Sequence, residues 1–102
     1  MVVDRDRMIY TPEKVERILT ELTEREKAEG VFGKPDEEAR FLRHCLKFLD
    51  AGERDIIEKT YLEGVSVRKY SRLSGFSRNF ISKQRDRTIE LLTKFFNVKF
   101  CS

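Results

Sequence analysis

The sequence is poor in the residues from which cross-links and small binding sites are built: two cysteines, one histidine and two prolines occur among its 102 residues. Cys45 and Cys101 form no CxxC pair, and His44 is the only histidine, which leaves too few soft ligands for a structural zinc site, and a chain of this length needs no disulfide framework. Both thiols are expected to be reduced and unpaired. No apolar run extends beyond a few residues, far short of the roughly 20 needed to cross a bilayer, so no membrane association is expected. The opening stretch MVVDRDRMIY lacks the apolar centre of a signal peptide, which points to a cytoplasmic protein. Gly30 and Gly33 do not lead into a GK[ST] step, which excludes a phosphate-cradling loop. His44 and Cys45 are adjacent, but neighbours on a helix point about 100° apart and cannot share a proton or a ligand. No paired carboxylates stand out either, and neither enzymatic activity, nor a metal, nor a cofactor is expected.

What the chain does have is charge. Charged residues make up 38% of it and hydrophobic ones 39%, with a mean hydropathy of −0.56, the composition of one soluble globular domain. A chain of this length buries roughly 65% of the surface its unfolded form exposes, enough for one packed core. The formal net charge is +3, but it is unevenly shared. Residues 1–50 carry 10 basic and 12 acidic side chains, residues 51–102 carry 11 and 6. Between 65 and 89, Arg68, Lys69, Arg72, Arg78, Lys83, Arg85 and Arg87 stand against Asp86 alone. Such a cationic stretch attracts polyanions, nucleic acids among them, and the alternative is a solvated basic face.

The apolar pattern is helical throughout. Thr11-Pro12-Glu13 reads as a helix start, and Val15, Ile18, Leu19 and Leu22 then form one buried stripe on a charged helix that ends near Gly30. Asp36, Glu37 and Glu38 open a second helix, on which Phe41, Leu42, Cys45, Leu46, Phe48 and Leu49 predict packing on two sides. Ala51 and Gly52 break it, and a third helix starting around Glu53 carries Ile56, Ile57, Thr60, Tyr61 and Leu62 before stopping at Gly64. Ser66 caps a short fourth with Val67, Tyr70, Ser71 and Leu73 inward. Ser77 caps a fifth that runs to about Phe96, with Ile81, Thr88, Leu92 and Phe95 inward and Val98 to Phe100 as a stray strand. The expected fold is all-α, a five-helix single domain, with residues 1–50 as a helical support or dimerisation segment and residues 51–102 as the functional one.

A short helix, a tight turn containing glycine and a longer helix make a helix-turn-helix. Ser71 is small where the two helices touch, Gly75 can adopt the left-handed turn, and Phe76 and Ile81 plug the angle between the helices. Residues 49–92, LDAGERDIIEKTYLEGVSVRKYSRLSGFSRNFISKQRDRTIELL, resemble region four of bacterial sigma factors. The likeness rests on Glu53, Arg54, Ile56, Ile57, Tyr61, Leu62, Glu63 and Gly64 ahead of the bihelical unit and on RDRTIELL behind it. Gln84 and Ser74 depart from the family, which has aliphatic or other apolar residues there. The turn stretch YSRLSGFSRN is also similar to the DNA-binding ends of transposases and resolvases. Phage late-gene regulators of the ArpU and RinA type combine such a sigma-like end with an unrelated N-terminal part. Residues 1–48 do not resemble the preceding regions of a sigma factor, so the chain is not a whole one.

The reading that follows is an all-helical regulator of transcription that binds double-stranded DNA in a sequence-specific way. Arg78, Asn79, Ser82 and Lys83 are expected to face the major groove, where arginine or lysine pairs with guanine and asparagine with adenine. Ser66, Arg68, Lys69, Arg72, Ser77, Arg85 and Arg87 suit phosphate contacts, the alternative for the cations being solvation or pairing with Asp86 or Glu90. Phe80 either touches a thymine methyl or folds onto the fourth helix. Two other classes stay open: a DNA-binding component of a recombination or packaging system, of transposase or small-terminase type, and a protein that meets RNA polymerase through the fifth helix. The wide apolar face of the second helix and the cluster Phe95, Phe96 and Phe100 lead to the expectation of a homodimer.

Overall fold

The computed structural model describes residues 10–101, and every regular element among them is helical. Thr11 is the cap of α1, Pro12–Phe32: its hydroxyl accepts the Lys14 N–H at 3.2 Å and Pro12 occupies the first turn. The stripe of Val15, Ile18, Leu19 and Leu22 is buried as its spacing requires. The helix does not stop at Gly30. One glycine lowers helix propensity without breaking the hydrogen-bond ladder, and α1 ends where Gly33 turns left-handed and donates its N–H to the Glu29 carbonyl at 2.8 Å.

Helix α2, Glu37–Leu46, is capped by Asp36, which accepts the Ala39 N–H at 3.0 Å. The same carboxylate is gripped by Arg25 of α1 through Nε at 2.7 Å and Nη2 at 2.9 Å, and Nη2 also reaches Glu38 at 2.8 Å. Arg43 pairs with Glu26 and Arg40 with Glu29, so three guanidinium groups tie α1 to α2 along one seam. The expected continuation through Phe48 and Leu49 fails in an informative way. The last turn tightens, with the N–H groups of Lys47, Phe48 and Leu49 bonding three residues back. At about 120° per residue that turn stacks Leu49 over Leu46 in the core and swings Phe48 out, leaving it 70% exposed. Arg54 closes this end by donating to the carbonyls of Leu46 and Leu49, both at 3.1 Å.

Ala51 and Gly52 are no breaker either. They form the first turn of α3, Ala51–Ile57, because Asp50 and Glu53 make a reciprocal capping box: the Glu53 N–H reaches Asp50 Oδ1 at 2.8 Å and the Asp50 N–H reaches Glu53 Oε1 at 3.2 Å. The chain continues as a wider π-helical turn, Glu58–Leu62, in which Tyr61 donates its hydroxyl to Glu16 of α1 at 2.5 Å. Helix α4, Val67–Ser74, follows with Ser66 as cap, and α5, Arg78–Cys101, completes the fold. The expected stray strand at Val98 to Phe100 is helix. The helix is held past Phe96 because Tyr10, Phe41, Phe96 and Phe100 form an aromatic cluster with ring centroids 5.1 to 5.7 Å apart. Asn97 adds two hydrogen bonds to the backbone of Tyr10, which fastens the chain's entry into α1 to the far end of α5.

Two cores result. The larger one joins α1, α2, α3 and the C-terminal half of α5 through Leu19, Leu42, Leu46, Ile57, Leu92 and Phe96, so it draws on both sides of residue 50. At about 1.5–3 kcal/mol for each fully buried large apolar side chain, this is the main source of stability. The smaller core, Ile56, Tyr70 and Ile81 with Val65 and Val67, holds α4 and the N-terminal end of α5 against α3. No helix among the described residues is long and apolar enough to cross a membrane.

Candidate nucleic-acid interface

The small core sets the geometry of the segment that carries the positive charge. Ser66 accepts the Lys69 N–H at 3.1 Å, and Ser77 accepts the Phe80 N–H at 3.1 Å, so α4 and α5 each begin at a satisfied serine cap. Each of those hydroxyls keeps its own proton to donate. Between the helices Gly75 lies at φ +86°, and its N–H returns to the Ser71 carbonyl at 2.9 Å. The Ser71 hydroxyl spans the turn by donating to the Phe76 carbonyl at 2.5 Å. Tyr70 packs in the angle and donates to Asp55 of α3 at 2.5 Å; burial and that carboxylate push its phenol up to about 12.

Ile81 is buried in the small core with Ile56 and Tyr70, with no exposed surface. Phe76, expected to plug the angle beside it, is not. It is 50% exposed, and its ring lies 4.9 Å from that of Phe80, which is itself 41% exposed. Tyr70 and Ile81 with Val65 and Val67 already fill the small core, so the two phenylalanines pair with each other on the surface. Phe80 therefore folds onto Phe76. Leu73, expected inward, is 72% exposed near the free end of the eight-residue α4.

The expected base-contacting residues separate on α5. Arg78, Asn79 and Lys83 are exposed, whereas Ser82 is half-buried. Successive residues advance about 100°, so Lys83 and Arg87 point away from the buried line of Ile81, Thr88 and Leu92, with Asn79 beside them. Arg78 and Ser82 lie nearer that line, and Arg78 is exposed because it is the first residue of the helix. Of the expected phosphate-contacting residues, Ser66, Arg68, Lys69, Arg72, Ser77 and Arg87 are exposed. Arg85 is different. It sits on the inward line, half-buried, with its guanidinium carbon 5.3 Å above the ring of Tyr61 and its Nε buried without a partner. The i to i+4 spacing from Ile81 carried that signal in the sequence.

The electrostatic contrast between the two ends is sharp. In the first half, Arg25, Arg40 and Arg43 are all neutralised by carboxylates across the α1–α2 seam. Around the turn, Arg68, Lys69, Arg72, Arg78, Lys83 and Arg87 make no ion pair with any acid among the described residues. The pairing with Asp86 or Glu90 considered from the sequence is not formed. The chain matches no known family model, no curated protein and no solved structure.

Proposed function

We propose that the chain is a sequence-specific DNA-binding regulator of transcription, with α4, the turn at Gly75 and α5 acting as a helix-turn-helix of the sigma region-four-like kind. The observation that supports it most directly is the set of six exposed cations, without acid partners among the described residues, gathered on two serine-capped helices around that turn. Unneutralised charge beside helix N-termini is suited to phosphate oxygens, and Asn79 and Lys83 on the outer side of α5 are suited to base edges. Arg78, at the first position of α5, reaches the groove from the helix end.

Selection of bound fragments from a random duplex pool tests the reading. The expected result is one enriched motif whose affinity falls with salt at a log–log slope of roughly −3.5, the value for about four phosphate contacts, those of Arg68, Lys69, Arg72 and Arg87. A pool that stays unenriched, or an affinity indifferent to salt, overturns it.

A further inference from the structure

A groove about 620 Å³ in volume runs between α2 and the C-terminal half of α5, floored by Phe41, Cys45, Phe48, Phe95 and Val98. Phe48 and Val98 are each 70% exposed along it. This is an exposed apolar surface among the described residues, of the kind that marks an interaction site. His44 stands edge-on to Phe48 at 5.0 Å, and Lys99 Nζ lies 5.9 Å from the Phe41 ring. Lys47 and Lys94, next in sequence to Phe48 and Phe95, are exposed. Residues 40–49 and 91–101 contain no aspartate or glutamate at all. Arg40 and Arg43 are consumed by Glu29 and Glu26 on α1, but Lys47, Lys94 and Lys99 pair with no acid among the described residues. The groove is therefore oily at its floor, with Lys99 in its lining, the exposed Lys47 and Lys94 next in sequence to residues that line it, and no carboxylate on either flanking segment.

We propose that this groove docks an acidic amphipathic helix of a partner protein, its apolar residues at i, i+3, i+4 and i+7 filling the floor and its carboxylates meeting Lys47, Lys94 and Lys99. A second copy of this chain offers the same lysines and no carboxylate from residues 40–49 or 91–101, so charge favours an acidic partner over the self-association expected from the apolar faces. From Phe41 to Phe48 the floor is about 10 Å long, room for two turns of a partner helix. Arg78 lies about 30 Å away along α5, so the groove stays open when the other end of that helix is occupied. The proposal does not depend on DNA binding.

The test titrates the full chain into labelled synthetic helical peptides about four turns long, followed by fluorescence anisotropy. One peptide carries a leucine and phenylalanine stripe flanked by glutamates, a second has every glutamate replaced by lysine, and a third scrambles the first. The glutamate peptide is expected to bind. Phe48→Asp, at an exposed position that leaves the core intact, should weaken it by about tenfold or more, and Lys47→Glu with Lys99→Glu by several-fold. Equal binding of the lysine or scrambled peptide overturns the proposal, as does indifference to Phe48→Asp. So does a dimer in sedimentation that Phe48→Asp dissolves, which assigns the face to a second copy. Duplex binding by Phe48→Asp, measured in parallel, separates a failure here from a failure of the DNA reading.

Discussion

Arg85 lies over Tyr61, its guanidinium carbon 5.3 Å above the ring, while the hydroxyl of that same tyrosine donates to Glu16 of α1 at 2.5 Å. A cation that belongs by sequence to the basic stretch is thereby built into the joint between α1, the π-helical turn and α5. Two arginines two residues apart on α5 acquire opposite assignments from this contact.

Arg85→Ala is expected to destabilise the fold by about 1 kcal/mol, through lost packing and cation–π contact, and to leave the salt slope of duplex binding unchanged. Arg87→Ala should leave stability within about 0.5 kcal/mol and reduce the slope by about 1. Thermal melts and salt titrations of both variants check the pair of outcomes.

Asn79→Ala and Arg78→Ala should each cost about 1–3 kcal/mol at the selected site and relax preference at one base position. Arg72→Ala, on α4, is the contrasting case: under the proposed reading it removes a phosphate contact and should weaken all duplexes alike. Binding of each variant to the selected motif and to its single-base variants distinguishes the two patterns.

Gly75 and Gly52 should respond oppositely to alanine. At φ +86° Gly75→Ala places a side chain in left-handed backbone and should cost about 1 kcal/mol or more, although nothing lies within 4 Å of the new Cβ. Gly52 is in the first turn of α3, where a Cβ meets only Asp50 Oδ1 at 3.7 Å, so Gly52→Ala should stabilise by about 0.5–1 kcal/mol. Denaturant unfolding of the two variants reads both signs.

Acid should loosen the α1–α2 seam. The Arg25 guanidinium beside Asp36 and the Arg43 guanidinium beside Glu26 hold those carboxyls below the usual range; at Glu38 burial pushes upward, but the Tyr10 hydroxyl and Arg25 outweigh it. A carboxyl whose folded value is depressed adds stability that is complete above its unfolded value, about 4, and is lost as pH falls through the folded one. Melting temperature should hold from pH 7 to about 5 and then decline below about 4, more shallowly in Arg25→Met.

Local chemistry makes much of this chain legible from its residues alone. Thr11, Asp36, Ser66 and Ser77 cap helices because their oxygens sit beside orphan amides, a relation confined to a few neighbouring residues. Gly75 is likewise a local matter. The buried stripe of α1 follows from its spacing, and so do the basic stretch and its glycine turn. The same logic misplaces Phe48, Phe76 and Leu73, since a hydrophobic residue at helical spacing is buried only where another element arrives to cover it. The hydrogen bonds of Asn97, Tyr10 and Arg54 give no sequence signal, because their partners are distant in the chain or are backbone carbonyls whose positions depend on where a helix ends.

The order of amino acids by itself determined five helices, their caps, the turn at Gly75 and the placing of positive charge in the second half, all of which depend on neighbours within about one helical turn. Tertiary structure alone decided which cations remain unneutralised, that Arg85 stacks on Tyr61, and that Phe48 and Val98 line an open groove. Those outcomes depend on which surfaces meet, and contacts between segments many residues apart are set by the packing of the whole chain.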